Sequence, residues 1–332
     1  MNNEKTTTKL KYHSLTLLFI ICYLLFACTT TTKAPEPMPL ESGLVPLDEG
    51  ATAYALVDVP NARPLLEMIN YIPTTDKNVK QMLDRTQSAV LAAFTPSSEE
   101  TRRYQLVSWG NYPASGSSIA FGTNKDWKKQ RSATLKTTYW HSEKSQLSVA
   151  VSPSRAYVLA AMTKAPRDPV PSSGGIKIPD GFGEFAGNAV LSCWLPEPQS
   201  IFNQKLREMG IPLEIPAEQF FVRLIPADGQ TPASQPASAS QPASASQPAY
   251  EAQIQIVVPS AAQARAVATF LAIGRAFIPP SRSDEGGVQN SATALASILF
   301  ANPVVQEGNS LFIKTPSLGI NEISLLFSMV SL

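Results

Sequence analysis

Residues 190–210 read "VLSCWLPEPQSIFNQKLREMG", and their pattern sets the expected fold of the second half of the chain. Val190–Leu195 alternates, with Leu191, Cys193 and Leu195 on one side, which is the period of a strand. Pro196 and Pro198 end the strand and open a helix carrying Ile201, Phe202, Leu206 and Met209, stopped by Gly210. Further on, Phe220–Ile225 and Tyr250–Val258 alternate again. Pro259-Ser260 then caps a long helix with Val267, Phe270, Leu271, Gly274, Phe277 and Ile278 on one stripe. Ser291–Phe300 reads as a short helix, Leu311–Ile313 as a strand and Ile320–Val330 as an apolar closing element. Counted in order, the elements give βαββαβ, the ferredoxin-like split βαβ order.

The first half can be forced into a similar order. Ala53–Val59 reads as a strand ended by Pro60, with Asn61 as cap of the following helix. Asp76–Phe94 reads as one helix, because Val79, Met82, Leu83, Thr86, Val90 and Phe94 recur at spacings of three and four. Tyr104–Trp109 is a strand, "NYPASGSS" a turn and Ile119–Phe121 a short strand. Asn124 caps a basic helix through Trp127 to Arg131, and Leu135–His141 with Leu147–Val151 forms a hairpin. Ser154–Met162 fits either helix or strand. The junction "LVDVPNARPLL" matches "SCWLPEPQSIF", and "VAVSPSRAYVL" matches "QIVVPSAAQAR". The expected class is therefore α+β in two halves, the second with the ferredoxin-like order; the matching junctions fit either a first half that is a divergent duplicate or the common local grammar of strand, proline and helix.

Between the halves lies 165–187, "APRDPVPSSGGIKIPDGFGEFAG", with four prolines and five glycines. It marks a domain boundary. The expected organisation is a leader over 1–27, a tether over 28–50, an α+β domain over 51–164, the linker 165–187 and an α+β domain over 188–332. Within the last, 229–249 carries a repeat: PASASQ starts at Pro236 and Pro242, with a shortened copy at Pro232 and a truncated one at Pro248. The segment has no large apolar side chain to offset the entropy of ordering it, so it reads as an exposed loop at the tip of a hairpin. Lengthening such a loop costs little, since closure entropy grows only logarithmically.

The N-terminus concerns compartment. The apolar run Leu15–Ala27 is about 13 residues, against roughly 20 for a helix spanning a bilayer core and roughly 7–15 for the core of a signal peptide. Lys5, Lys9 and Lys11 precede it against one acid, Glu4. The run stops at Leu25-Phe26-Ala27-Cys28, which resembles the lipobox of bacterial lipoproteins, in the relaxed form found in spirochaetes. Leu25 and Ala27 match that pattern, and Phe26 departs from the small residue usual there. The resemblance implies cleavage between Ala27 and Cys28, an S-diacylglycerol on Cys28 and an N-acyl group on its new amino terminus. It covers the first 28 residues only. "TTTTKAPEPMPLESG" follows with no apolar periodicity and reads as an extended, solvated tether.

Composition narrows what remains. Residues 1–27 contain three of the 27 basic and one of the 26 acidic side chains, which leaves 24 against 25 in the mature chain. That balance gives no basic footprint for nucleic acid. Of three cysteines, Cys22 leaves with the leader and Cys28 takes the lipid, so Cys193 alone remains and no internal disulfide is expected. Cys193 reads as a buried small hydrophobe on its strand. Of two histidines, His13 leaves too, and His141 by itself makes no multi-histidine metal site. No P-loop, GxGxxG, EF-hand loop or GxSxG occurs.

Three weaker features complete the reading. His141, at the end of "TTYWHSE", reads as a half-exposed strand-end residue in preference to a catalytic base. Asp284-Glu285 before Gly286-Gly287 reads as a solvated connection in preference to a cation site. Lys125, Lys128, Lys129 and Arg131, with Trp127 and Trp140 nearby, read as a solvated face that could also meet headgroups or glycans.

These features point to a lipid-anchored protein of the bacterial cell envelope, on the periplasmic face or in the outer membrane. It is expected to be non-enzymatic, a binding or scaffold module without cofactor or metal. Its expected partners are the membrane, through the acyl anchor, and an envelope protein. The alternatives are a carrier of a small hydrophobic ligand and a carboxylate-based envelope hydrolase.

Overall fold

The computed structural model describes residues 47–68, 77–95, 103–112, 114–133, 138–152, 155–160, 166–170, 176–208, 214–227, 249–276, 297–299, 301–319 and 321–323. The leader, most of the tether and all of the repeat segment 229–249 except Ala249 lie outside these residues, as do Asp284-Glu285 and all of Ile320–Val330 except 321–323. Only 297–299 of the expected helix Ser291–Phe300 are described, and they are helical. The chain divides into two compact units, Met1–Gly183 and Glu184–Leu332.

The first unit is an antiparallel sheet with helices on one face. Its strands are β1 (Ala53–Asp58), β2 (Thr86–Phe94), β3 (Arg103–Gly110), β4 (Lys128–Arg131), β5 (Thr138–Ser142), β6 (Leu147–Val151) and β7 (Arg155–Ala160). They lie in the order β1-β2-β3-β7-β6-β5-β4, so β4 ends the row. Helix α1 (Val59–Met68) follows β1 directly. Its cap is Asp58, whose carboxylate accepts from the Asn61 N–H (3.3 Å) and from the Asn61 side chain (2.8 Å). Asn61, the cap expected from the sequence, is thus the residue being capped, and Pro60 sits in the first turn, where its missing N–H costs nothing.

Helix α2 (Lys77–Arg85) ends where one longer helix was expected, and residues 86–94 are the strand β2. The reason lies in the spacing. Thr86, Val90 and Phe94 are four apart, and four is a multiple of the strand period as well as close to one helical turn. The competition is decided by pairing. β2 lies between β1 and β3, with Val90 opposite Leu56 and Val107. Val90 and Val107 are fully buried, which is worth about 1.5–3 kcal/mol each. Gly110 makes the junction possible: Asn111 N–H donates to the Arg85 carbonyl at 2.9 Å, and a Cβ on Gly110 would lie 1.9 Å from that oxygen.

Helix α3 (Ala114–Thr123) occupies the stretch expected as a turn and short strand, and the expected basic helix is the edge strand β4. Residues 155–160, ambiguous in sequence, form β7 between β3 and β6. On the helix-covered face, Val59 and Leu83 pack with Val57, Leu66, Met82 and Ala89. Further along, Phe121 of α3 packs with Trp127, Trp140, Leu147, Val149 and Val158.

The short helix α4 (Phe182–Ala186) spans the division between the units. The second unit contains β8 (Leu191–Leu195), α5 (Pro198–Glu208), β9 (Gln219–Pro226), β10 (Tyr250–Val257), α6 (Ala261–Ala276), β11 (Val305–Glu307) and β12 (Ser310–Lys314). Its strands lie in the order β8-β9-β10-β12-β11, each antiparallel to the next. The element list matches the βαββα expectation, but the pairing does not reproduce a ferredoxin-like sheet. A split βαβ unit places another strand between the two joined by a helix, whereas β8 pairs directly with β9. The duplication signal is likewise uneven. "LVDVPNARPLL" and "SCWLPEPQSIF" both join strand to helix, but "VAVSPSRAYVL" joins two strands and "QIVVPSAAQAR" joins a strand to α6. What the structure does share with the expectation is a mixed α and β composition built on antiparallel sheet.

The cap of α6 is as expected: the Ser260 hydroxyl accepts from the Gln263 N–H (3.3 Å) and donates to its side-chain oxygen (3.0 Å). β9 and β10 form a hairpin closed at Pro226 and Tyr250, so the repeat is the connection between two neighbouring strands.

Candidate interaction surface

Among the described residues no group of three or more His, Cys, Asp and Glu side chains lies close enough to hold a metal ion. No described helix is long and apolar enough to cross a membrane.

The basic cluster singled out in the sequence lies at the end of the first unit's sheet. Lys128, Lys129 and Arg131 of β4 are exposed, and so is Lys125 in the turn before it. Lys128 Nζ bonds Glu143 across the sheet edge (2.6 Å) and Lys144 bonds Asp126 (3.1 Å). The Lys128 ammonium holds the Glu143 carboxyl below its usual range by hydrogen bond and charge. Lys129 lies over the Trp140 ring, 5.9 Å from its centroid. Trp140 stacks on Phe121 (5.6 Å, 17°), which meets Trp127 edge-on at 4.9 Å. The two tryptophans near the basic cluster are thus only 7% and 8% exposed and belong to the core beneath it.

His141 is buried inside β5, not half-exposed at a strand end, and its Nδ1 lies 2.9 Å from the Ser148 hydroxyl of β6. The two residues are register partners, which explains the contact. Cys193 pairs with Val222, on the face that continues to Ile254 and Ile313. The residue as a whole is half-buried, yet burial of its thiol pushes the pKa up to about 12. These two facts pull in opposite directions, and the desolvated sulfur governs the chemistry, because the thiolate is the reactive form. Ala27 and Cys28 lie outside the described residues.

Two buried polar clusters had no signal in the sequence. Gln105, 1% exposed at mid-sheet, accepts from Asp48 N–H (2.8 Å) and donates to the Pro169 carbonyl (3.4 Å). It pins the root of the tether and part of the Pro/Gly-rich segment to one side chain. Asp168 reinforces this by accepting from the Ser132 hydroxyl (2.6 Å) and from the N–H groups of Ala133 and Val170 (3.1 Å each). In the second unit Arg223 donates twice to Gln253 (2.9 and 2.6 Å) and lies over the Phe185 ring at 4.9 Å. Desolvation lowers its pKa. A single Gln or Arg in an alternating strand gives no hint that it will be a junction.

Two units built on antiparallel sheet with helices are the class these observations define, and comparison with known proteins narrows it. Residues 42–167 match the family described as outer membrane-associated lipoprotein TP0453. Two solved structures of TP0453 resemble the chain in fold. Crystal form III has a TM-score of 0.53 at 15% identity, covering 88% of this chain and 99% of that one. Crystal form IV has a TM-score of 0.52 at 16% identity, covering 86% and 95%. No curated protein matches the chain. The matching family is one of outer membrane-associated lipoproteins, in agreement with the lipid-anchored envelope localisation expected from the N-terminus.

Proposed function

We propose that the chain is a lipid-anchored protein of the bacterial outer membrane that acts by binding or scaffolding and not by catalysis. The observation that carries this reading is the family match over 42–167, which begins within the tether expected behind Cys28. The likeness in fold to TP0453 supports it over most of the chain. Cys28 bears the S-diacylglycerol and N-acyl groups, with cleavage after Ala27. Two or three acyl chains give stable anchoring where one is marginal. The tether from Cys28 to the start of β1 lets the body stand away from the bilayer while staying attached to it. The buried side chains with catalytic potential serve the fold: His141 bonds Ser148 within the sheet, and the Cys193 thiol is held protonated.

The test is Cys28→Ser in the native envelope. The variant should lose incorporation of labelled palmitate, retain its leader and leave the membrane fraction. A Cys28→Ser protein that is still processed and still acylated would sink the anchor.

A further inference from the structure

We propose that β4 is a docking edge for an extended acidic segment of a partner protein, which adds to the sheet as a further strand. The proposal deepens the reading of the body as a binding module and is independent of the anchor.

β4 pairs with β5 on one side, and among the described residues it ends the row of strands on the other. Such an edge presents backbone N–H and C=O groups ready to pair. Its side chains select what may pair. Alternation puts Lys128 on the face of His141, and Lys129 with Arg131 on the face of Trp140. Lys128 is already neutralised by Glu143. Lys129 and Arg131 have no ion-pair partner among the described residues, and neither has Lys125. Among the described residues around this edge, five cations (Lys125, Lys128, Lys129, Arg131 and Lys144) stand against three acids, Asp126, Glu143 and Asp168, the last already bonded to Ser132 and Ala133, on a mature chain whose charges otherwise nearly cancel.

A second copy of the chain does not fit this edge. Pairing β4 with β4 would set cations across from cations, which is destabilising on a sheet. A flat anionic lipid surface fits less well than a strand. The cations alternate between the two faces of the sheet, and Trp127 and Trp140 are enclosed in the core, unavailable to a headgroup layer. An extended segment with acids at every second residue satisfies both features. Its main chain continues the ladder, and two carboxylates two residues apart lie beside Lys129 and Arg131.

The probe is a fluorescent peptide of about ten residues alternating Thr and Glu, titrated onto the full chain carrying Cys28→Ser. Three further ligands accompany it: the same peptide with Gln for Glu, the same peptide with two central Thr replaced by Pro, and vesicles containing phosphatidylglycerol. The Glu peptide should bind, weaken with salt and lose affinity by about tenfold in the double variant Lys129→Glu, Arg131→Glu. The Gln and Pro peptides should bind far more weakly, since one lacks the charge and the other the strand donors. Circular dichroism of the variant, whose changed side chains are exposed, reports whether it is folded. Equal binding of the Pro peptide would reduce the edge to a diffuse charge. Absence of Glu-peptide binding, or vesicle binding that needs Lys129 and Arg131 while the peptide does not bind, would overturn the proposal. None of these outcomes touches the anchor, which is read by acylation and fractionation.

Discussion

Cys193 shows how one side chain's surroundings become a measurable property. Its thiol pKa is raised by burial from 9.0 to about 12. In the unfolded chain the thiol ionises near the ordinary value; in the native protein it stays protonated well above it. Between those two pH values the unfolded state binds fewer protons, so stability must fall as pH rises. The contribution is fully present below about pH 9 and is gone once pH passes about 12. The thiolate absorbance of the native protein should therefore stay flat through pH 9–11 and appear at once on unfolding in denaturant. A bulky thiol reagent should likewise label Cys193 slowly in the native state. The Cys193→Ala variant should show a shallower loss of stability over the same range. Early ionisation or fast native labelling would place the sulfur in water. Alternation put Leu191, Cys193 and Leu195 on one face, but it did not show that the opposite face is covered too: Ser192 and Trp194 are buried while Leu191 and Cys193 are half-buried. His141 was misread for a related reason: nothing local announces that Ser148 will be its register partner. Gln105 and Arg223 were invisible in the same way, since their partners lie tens of residues distant.

At the scale of elements, strands bounded by proline or turn residues were legible and three assignments were not: the strand β2, the helix α3 and the edge strand β4. Residues 86–94 satisfy both periods, and only pairing with β1 and β3 chooses between them. Helix α3 has little to show in sequence, being rich in Ser, Gly and Ala; what fixes it is Phe121 inserted against Trp127 and Trp140. Gly110 sits at the point where α2 hands over to β2. Its nearest neighbours are backbone atoms, the Arg85 carbonyl and the Thr86 Cα, which cannot rotate away. Gly110→Ala should therefore cost about 2–4 kcal/mol, at the severe end for a single methyl, because the helix–strand junction must shift. Denaturant unfolding measures it. The matching control is Gly181→Ala, which meets no atom within 4 Å but has φ +82°; it should cost only about 1 kcal/mol of left-handed strain. A Gly110→Ala cost no larger than the control would mean that the junction gives way easily.

For the molecule as a whole, the Pro/Gly-rich stretch 165–187 and the repeat segment 229–249 are both read as breaks in the fold from their composition, and they differ in attachment. The described part of the first is anchored. Val170, Ile176, Phe182 and Ala186 are buried, Pro169 is bonded by Gln105 and Asp168 ties Ser132 to Val170. The sequence alone suggests a solvated linker because proline and glycine mark boundaries, but they do not say whether the boundary is bare. The repeat joins Pro226 to Tyr250 across a hairpin already closed by the bond from Ala227 N–H to the Ala249 carbonyl, and it offers Ala, Ser, Pro and Gln with no large apolar side chain. Limited proteolysis should distinguish the two. Cutting needs several residues of chain to open into a protease cleft, which is costly where side chains are buried and cheap where none are. With a protease of broad specificity the first cut should therefore fall between 228 and 248, leaving the hairpin and both units intact. Cuts between 165 and 187 should follow only later. Deleting Ala233–Pro248 should remove the early cut and shift the thermal midpoint by only a few degrees, since closure of a shorter loop costs little. First cleavage in 165–187, or loss of cooperative unfolding on deletion, would show that the repeat packs against the body more firmly than the stretch held by Gln105 and Asp168.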